Sequence, residues 1–354
     1  MFENYVYKFI KNESTANVKV YEYPPIDFCF VGCRGVGKTS LLASMAKELK
    51  KGQVSDFYID TQTPEGRYTA GALNDAVEDM IDMLDCSSVG EIIQMSGIAG
   101  TTVLSNSEER QFVFKARKTD SGFLNDKLFR FPFRFIDMPG GWYLDEAGKH
   151  AEVKDILTRS VVSFLAIDTP AMMEPGDAVH MKLNHADKIY DWYNENIDIL
   201  ARQSHSVIVV LSRCEAFWDK KDAMLGKFKE RYADLLGLFR KHDIRVCVVP
   251  VMTLGGVKFV AYDKSDRRAP KAQFMRTGDY APENCVTPLK LAFLHGLVRV
   301  FEHIRASNDD IWVIIKNTLG LTHFDNAENC VVRIAQEMAK IDDDTFWCGD
   351  ELYR

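Results

Sequence analysis

Residues 32–39 read GCRGVGKT, and this octet matches the phosphate-binding loop pattern GxxxxGK[ST] at every fixed position. The run at 26–31 before it is apolar, as in a buried strand, and apolar residues recur at helical spacing through 41–49 after it. A strand, a glycine-rich loop and a helix therefore follow one another in the order that a phosphate site requires. The positive end of the helix dipole then points at the anion. This stretch predicts an α/β fold with a phosphate site at the loop.

The residue types of the octet each suit a part of that site. Its glycines allow backbone N–H groups to turn towards phosphate oxygens, Lys38 supplies a positive charge to the terminal phosphates, and the Thr39 hydroxyl can bind Mg²⁺. The residues of this segment that we expect to bind nucleotide are Gly32, Gly35, Val36, Gly37, Lys38, Thr39 and Ser40.

The composition is that of a globular protein with a sizeable core, since 46% of the residues are hydrophobic and 27% are charged. A net charge of −7 disfavours binding to nucleic acid or to an anionic membrane surface. The sequence contains no run of about 18 apolar residues, as a membrane span requires. Its first residues lack a basic-then-apolar pattern, so no signal peptide is expected. Its eight cysteines form no C-x-x-C pair and lie mostly in apolar runs, which indicates buried thiols in a reducing compartment. We expect a cytoplasmic location.

Three parts are predicted along the chain. A leader at 1–25 contributes an edge strand at 18–23, a nucleotide-binding domain covers 26–304, and a helical extension covers 305–354. Within the extension, apolar spacing over 325–341 predicts a helix that caps the same domain.

The region after the phosphate loop contains an insertion and then a hairpin. The insertion at 52–105 includes a helix at 71–85, whose apolar residues share one face. Two strands are predicted at 110–118 and 129–137, and the second alternates phenylalanine with arginine or proline. A polar stretch separates them, as in a hairpin, and we expect the phenylalanines to belong to the core.

Beyond the hairpin, strands and helices alternate, which predicts a mostly parallel sheet sandwiched between helices. The predicted strands are 161–167, 206–211 and 244–251, and the predicted helices are 178–203, 219–241 and 288–304. The polar stretch 261–282 is rich in lysine, arginine and aspartate and is expected to be a mobile loop.

Asp137 is the second candidate site residue, in the sequence Asp-Met-Pro-Gly at the end of the alternating strand. An aspartate at the carboxyl end of a strand beside the phosphate loop lies where α/β sheets bind ligands. It can hold Mg²⁺ through water, because this ion takes only one or two carboxylates. Gly140, three residues later, leaves a backbone N–H free to approach a γ-phosphate.

The third candidate is the turn Ser212-Arg213-Cys214-Glu215, which follows a buried strand. A carboxylate two positions after a basic residue suits guanine, because it accepts hydrogen bonds from the ring N–H and the exocyclic amine. The arginine stem can pack on the purine face. Adenine offers no such donors at that edge.

These motifs occur in the order seen in Ras-like GTPases of the translation-factor-related (TRAFAC) class, with paired threonines, Thr101 and Thr102, before the hairpin. The resemblance covers about residues 26–304. Within the class the sequence looks most similar to prokaryotic double-GTPase proteins of conflict and defence gene clusters. The long insertion and the late segment PENCVTPL at 282–289 suggest this subgroup.

The resemblance implies a P-loop nucleoside triphosphatase fold, with GTP and GDP as substrate and product and Mg²⁺ as cofactor. Thr102, or its neighbour Thr101, would be the first-switch threonine, and Gly140 the γ-phosphate sensor of the second switch. The implied metal ligands are Thr39, Thr102 and Asp137, and the implied catalytic residues are Arg34, Lys38, Thr102 and Gly140. The implied guanine-site residues are Ser212, Arg213, Glu215, Met252 and Thr253.

The sequence departs from the family pattern at three places. Where many members have a glutamine that orients the attacking water, this chain has Gly141 and then Trp142, so we expect slow intrinsic hydrolysis. Arg34 replaces a glycine and either contacts the γ-phosphate in cis, blocks an arginine from a partner, or is solvated. Ser-Arg-x-Glu in place of Asn-Lys-x-Asp weakens the prediction of strict guanine preference.

The leading hypothesis is a Mg²⁺-dependent GTP-hydrolysing switch that acts through a protein partner at the switch segments and the insertion; the oligomeric state is open. One alternative is an ATP-utilising enzyme or nucleotide kinase, for which the arginines of 261–277 (Arg267, Arg268 and Arg276) are the candidate lid. Another alternative is a nucleotide-bound scaffold without turnover.

Four further residues are not expected to be functional. His150, His180 and His185 lack a third ligand at metal spacing and are predicted to lie at the surface. Cys33 is predicted to be a small buried filler within the loop.

Overall fold

The computed structural model describes ten stretches of the chain. They are residues 19–22, 25–33, 35–48, 57–59, 64–94, 108–118, 127–144, 148–265, 270–307 and 346–353. The strands are β1 (Lys19–Glu22), β2 (Ile26–Val31), β3 (Phe57–Tyr58), β4 (Ile92–Gln94), β5 (Glu108–Lys118), β6 (Lys127–Asp137), β7 (Val162–Asp168), β8 (Ser206–Ser212), β9 (Arg245–Pro250), β10 (Val257–Asp263), β11 (Lys271–Arg276) and β12 (Trp347–Cys348). The α-helices are α1 (Lys38–Glu48), α2 (Pro64–Asp85), α3 (His150–Arg159), α4 (Thr169–Met173), α5 (Asp177–Leu183), α6 (Ala186–Arg202), α7 (Lys221–Arg231), α8 (Ala233–Lys241) and α9 (Val286–Ser307).

The main sheet has the order β12-β9-β8-β7-β2-β6-β5-β3, and β1 also pairs with β6. Its centre, from β9 to β6, is parallel, and β1 is parallel to β6. The hairpin partner β5, the short β3 and the terminal β12 are antiparallel to their neighbours. The expected α/β class, a mostly parallel sheet with an antiparallel hairpin and covering helices, is confirmed.

Apolar side chains cover both faces of the sheet, because successive residues of a strand point to opposite sides. On one face, a stacked phenylalanine cluster (Phe28, Phe30, Phe133, Phe135 and Phe164) packs with α1, α2 and α9. On the other face, the alternate residues of the same strands pack with α3, α6, α7 and α8. Residues buried on both sides explain why the central strands read as continuous apolar runs. The predicted core role of the phenylalanines is confirmed for those at 133 and 135.

A second, three-stranded sheet corrects the prediction of a mobile loop at 261–282. Strands β10 and β11 pair antiparallel, and β11 pairs with β4 from the insertion. Val257, Tyr262, Ala272 and Phe274 are buried, while charged residues such as Lys271 point outward. The segment was predicted as a loop because of its charged residues, but its apolar residues alternate with them, and the apolar face packs into the main core.

Two long predicted helices are each broken. The helix expected at 178–203 is α5 and α6, separated at Asn184 and at His185, which has a left-handed backbone with φ of 45°. The helix expected at 219–241 begins with a 3₁₀ turn and is then divided into α7 and α8 at Tyr232. Apolar periodicity continues across both breaks, so periodicity alone does not reveal them.

The remaining predicted elements are close to those observed. The helix of the insertion is longer than expected, and the strand predicted in the leader is β1. The described end of the C-terminal extension is not α-helical, because β12 leads into a 3₁₀ helix at Gly349–Leu352. The helix predicted at 325–341 lies outside the described residues. Among the described residues, no helix combines the length and the apolar character needed to cross a membrane.

Candidate nucleotide-binding site

The candidate site lies where the central parallel strands end. The phosphate loop follows β2, Asp137 ends β6, Asp168 ends β7, and the turn at 212–215 follows β8. Because parallel strands have their carboxyl ends at one edge, the sheet brings these residues together, as expected for a doubly wound fold.

Backbone geometry explains the glycines of the loop at two positions. Gly37, just before α1, has a φ of 92°, which L side chains rarely adopt. A Cβ atom at Gly32 would lie 2.9 Å from the backbone oxygen of Ala166 in β7. The loop therefore needs glycine both for its turn and for its close packing against the neighbouring strand.

Lys38 is buried and spans the loop. Its Nζ donates hydrogen bonds to the backbone oxygens of Gly32 at 2.9 Å and of Cys33 at 3.2 Å. Burial lowers the pKa of Lys38, and the nearby negative charge of Asp137 opposes that shift. The ammonium group is thus held inside the loop by two carbonyl oxygens, with one hydrogen left for another acceptor.

Thr39 and Asp137 meet directly at the mouth of the loop. The Thr39 hydroxyl donates to Asp137 Oδ2 at 2.9 Å, whereas Asp137 Oδ1 is buried without a hydrogen-bond partner. The described residues contain no cluster of three or more histidine, cysteine or acidic ligands. One hydroxyl and one carboxylate with an unused oxygen fit Mg²⁺, which takes its other ligands from water and phosphate.

Ser212 and Arg213 join the turn after β8 to the phosphate loop. The Ser212 hydroxyl lies 2.8 Å from the backbone oxygen of Val36, and Arg213 Nη2 donates to the backbone oxygen of Gly35 at 2.6 Å. Arg213 has a left-handed backbone with φ of 60°, which turns the chain sharply at the end of the strand. These two residues therefore hold the shape of the loop.

Asp168 and Tyr262 are members of this network that the sequence analysis missed. Asp168 is buried, and its Oδ2 accepts a hydrogen bond from Arg213 Nη1 at 2.5 Å. Its Oδ1 accepts from the Tyr262 hydroxyl at 2.5 Å and from the backbone N–H of Ala171 at 2.9 Å. The available signal was an aspartate before Thr-Pro at a strand end, which is typical of a helix N-cap.

Glu215 lies against the loop that follows β9. Its Oε1 accepts hydrogen bonds from the backbone N–H groups of Leu254 at 3.1 Å and Gly255 at 3.4 Å. Its Oε2 is buried without a hydrogen-bond partner. Burial raises the pKa of Glu215, and the backbone N–H groups oppose that shift. An oxygen of this kind is costly unless a ligand donor or a water satisfies it.

Met252 and Thr253 are fixed in the same loop by backbone contacts. Met252 pairs with Glu283 through two backbone hydrogen bonds of 3.0 and 2.9 Å. The backbone oxygen of Thr253 accepts a hydrogen bond from the hydroxyl of Ser44 in α1 at 3.1 Å. Helix α1 thus supports both the phosphate loop before it and the loop beside Glu215.

Other predicted site residues fall into two groups. Arg34, Thr101 and Thr102 lie outside the described residues, so their predicted roles remain predictions. Gly140 begins a 3₁₀ helix, Gly140–Leu144, whose Trp142 is buried in the core. Trp142 therefore packs internally and does not replace the absent glutamine.

Of the expectations about individual side chains, the one for His180 is wrong and those for His150 and Cys33 agree with the structure. His180 is buried and its Nδ1 lies 3.0 Å from the amide nitrogen of Asn184, so its prediction as a surface residue is wrong. His150 is exposed and Cys33 is buried, as expected. Arg276 binds the C-terminal end of α2, where it donates to the backbone oxygen of Leu84 at 2.5 Å. It is thus occupied away from the site, while Arg267 and Arg268 lie outside the described residues.

Comparison with solved structures gives distant similarities. The chain is similar to the signal recognition particle receptor SRb-GTP/SRX complex from Chaetomium thermophilum, at 13% identity and a TM-score of 0.37, over 66% of this chain and 93% of that one. It is also similar to the LeoA bacterial dynamin GTPase from ETEC, at 11% identity and a TM-score of 0.22, over 60% of this chain and 36% of that one. No family model and no curated protein matches the sequence. Similarities this low carry no conclusion about this chain.

Proposed function

We propose that the chain binds and hydrolyses GTP with Mg²⁺ and works as a molecular switch. Two buried carboxylate oxygens without a hydrogen-bond partner carry the proposal. One belongs to Asp137 beside the phosphate loop, and the other belongs to Glu215 in the turn after β8. Asp137 accepts from Thr39 through Oδ2 and leaves Oδ1 for the proposed metal, and Glu215 leaves Oε2 at the turn for the proposed base. The N–H groups of guanine can donate hydrogen bonds to the Glu215 oxygen, and Mg²⁺ can supply a positive charge beside the Asp137 oxygen.

The residues of the chain would act by position and charge rather than by covalent chemistry. Lys38 and the backbone N–H groups of the loop would hold the phosphates, and Thr39 and Asp137 would hold Mg²⁺. The metal, when bound, neutralises negative charge on the phosphate oxygens. With glycine and a buried tryptophan where a water-orienting amide is expected, intrinsic turnover would be slow. The backbone N–H of Gly140 is the proposed γ-phosphate contact.

Nucleotide titration tests the proposal. Purified protein with Mg²⁺ should bind GTP and GDP more tightly than ATP, and release of phosphate from GTP should be slow. Lys38→Ala should remove binding of all three nucleotides, whereas Lys241→Ala, at an exposed lysine of α8, should bind normally. Both variants should give the circular dichroism spectrum of the unaltered protein. GTP affinity that survives in the folded Lys38→Ala variant would overturn the site.

The alternative functions predict different outcomes of the same experiment. Preference for ATP would indicate the ATP-utilising enzyme or kinase, whose one described lid arginine, Arg276, is instead bound to the end of α2. Tight GTP binding without phosphate release, alone and with partner proteins, would indicate the scaffold.

The finer parts of the hypothesis extend the proposal. The switch segments near 97–105 and 138–150 would order around the γ-phosphate and present a surface to a protein partner. We also propose a TRAFAC-class, double-GTPase-like relationship, a cytoplasmic location and a role in a bacterial defence system. Pull-down of neighbouring gene products in the presence of a GTP analogue and of GDP tests the partner directly.

A further inference from the structure

Two cysteines face each other at the outer edge of the main sheet. Strand β12 pairs antiparallel with β9 through two residue pairs, in which Cys348 is opposite Cys247 and Trp347 is opposite Val248. Both cysteines are thiols. Cys247 is buried at the face covered by α1 and α9, and Cys348 is exposed.

The geometry suits a covalent bond between them. Residues directly opposite in an antiparallel pair have Cα atoms about 4.5–5.5 Å apart, with side chains on the same face. A disulfide needs Cα atoms about 4.4–6.8 Å apart. The two thiols are in hydrogen-bond contact, and that contact, followed by burial, raises the pKa of Cys247.

The other described cysteines lack such an arrangement. Cys29, Cys33, Cys214 and Cys285 are buried, and Cys86 is exposed after α2. Among the described residues, Cys247 and Cys348 are the one pair in which an exposed thiol and a buried thiol lie directly opposite each other on neighbouring strands.

Strand pairing and side-chain packing hold the C-terminal segment, residues 346–353, to the rest of the molecule. Besides the two strand pairs, Leu352 is buried in the core, and Phe346, Trp347 and Tyr353 are partly buried against it. The ring of Tyr353 also lies 5.1 Å from the Arg240 guanidinium. A two-residue strand is short for stable pairing. A cross-link at this point would therefore change how firmly the segment is held.

We infer that Cys247 and Cys348 form a reversible intrachain disulfide that fastens the C-terminal segment to edge strand β9. The oxidant is a low-molecular-weight disulfide. The exposed Cys348 thiolate attacks one sulfur of it and releases one thiol, which gives a mixed disulfide. Cys247 loses its proton, attacks the Cys348 sulfur and releases the second thiol. The protein loses two electrons and two protons, and the small disulfide becomes two thiols.

Oxidised glutathione is the probe for the test. Trypsin should release residues 246–258 and 341–354 as one linked species, lighter by two hydrogens than the two peptides together. The linked species should disappear on reduction, and the protein should remain a monomer on a non-reducing gel. Retention of both thiols, a stable glutathione adduct on Cys348, or a dimer linked between chains would each overturn the inference.

Matched variants separate the cross-link from general thiol oxidation. Cys348→Ser replaces an exposed residue and should give no linked peptide, while Cys86→Ser and Cys330→Ser should give it in full. The disulfide would close the long loop of chain between Cys247 and Cys348, so it should raise the melting temperature of the oxidised protein by about 5 °C. The shift should be absent in Cys348→Ser. An equal shift in that variant would show that the stabilisation has another origin.

Discussion

The carboxylate of Glu215 combines a structural and a binding role in one side chain. One oxygen orders the loop at Leu254 and Gly255, and the other is buried without a partner. The first oxygen makes the second one available, because it fixes the orientation of the whole group. Base recognition in the proposed function therefore depends on the charge and on the acceptor character of this one oxygen.

Glu215→Gln should abolish guanine preference and leave phosphate binding intact. The amide oxygen can still accept from Leu254 and Gly255, but the amide nitrogen only donates and cannot accept a hydrogen bond from the N–H groups of guanine. Losing hydrogen bonds to a charged acceptor costs about 1.5–3 kcal/mol, so the ratio of GTP to ATP affinity should fall about 10- to 100-fold. Calorimetric titration measures the ratio, with Glu230→Gln, at an exposed residue of α7, as the control. An unchanged ratio would exclude Glu215 from base recognition.

Asp168 controls the position of Arg213 without contacting the loop itself. In Asp168→Asn, the amide oxygen can still accept hydrogen bonds from Ala171 and Tyr262. The amide nitrogen then faces the guanidinium of Arg213, and both groups are donors. Arg213 would lose its buried partner, and its hydrogen bond to the loop would loosen. We expect GTP binding about 10-fold weaker, measured by titration, because charged hydrogen bonds of this kind contribute about 1.5–3 kcal/mol. Tyr262→Phe keeps the ion pair and should bind GTP nearly normally; equal losses in both variants would contradict the role given to Asp168.

At the scale of elements, Arg276 connects the second sheet to the insertion. It ends β11 and donates hydrogen bonds to the backbone oxygens of Leu84, in the last turn of α2, and of Ser87, just after the helix. The last carbonyl groups of a helix have no partner within the helix, and a cation at that end also complements the helix dipole. One side chain thus caps α2 and joins it to β11.

Arg276→Ala should lower the free energy of unfolding by about 2–4 kcal/mol, because buried carbonyl groups lose charged donors. Urea denaturation measures the change, and Lys258→Ala, an exposed residue on β10, is the matched control. GTP binding by the folded variant should stay within about twofold of normal. A large loss of GTP affinity with no loss of stability would instead support a direct role of Arg276 in nucleotide binding.

Helices, strands and motifs differ in how well the sequence predicts them. Central strands β7, β8 and β9 were predictable because they are buried on both faces and read as apolar runs. Strands β10 and β11 were not, because the exposed lysines Lys258 and Lys271 interrupt their apolar pattern. Their burial depends on β4, which is distant in sequence. The break between α5 and α6 was likewise not predictable, because the left-handed backbone of His185 does not alter the spacing of the apolar residues.

At the scale of the molecule, the order of motifs predicted one edge of the sheet as the site, because topology alone brings strand ends together. The link from Asp168 to Tyr262 joins residues 94 positions apart. No local pattern encodes such a contact, which follows from the packing of the second sheet on the first. The sequence therefore predicted which elements meet, but it did not predict the side chains that hold them in register.

A buried polar network lies away from the proposed site, around His205. Its Nδ1 lies 2.8 Å from the backbone oxygen of Ser160, and its Nε2 lies 2.9 Å from the hydroxyl of Ser163, which lies 2.6 Å from the hydroxyl of Tyr193. A carbonyl only accepts, so Nδ1 carries the proton, and Ser163 donates to Nε2 of a neutral ring. Tyr193 then donates to Ser163. Protonation of Nε2 would reverse its hydrogen bond with Ser163 and remove the acceptor of the Ser163 proton.

Three buried histidines predict that the protein loses stability in mild acid. Burial lowers the pKa of each of His180, His205 and His295 from 6.5 to about 4. The folded state then binds fewer protons than the unfolded state between these values. Stability is complete above about pH 7 and falls as the pH drops towards 4, by about 2 kcal/mol for each histidine between pH 7 and pH 5.

Urea unfolding at pH 5, 6, 7 and 8 measures the slope of stability against pH. The exposed His150→Gln should leave it unchanged, and His205→Gln, compared at each pH with its own value at pH 8, should reduce it by about one third. A flat profile from pH 8 to pH 5 would show that the folded and unfolded states take up protons equally, and would contradict the lowered pKa of these histidines.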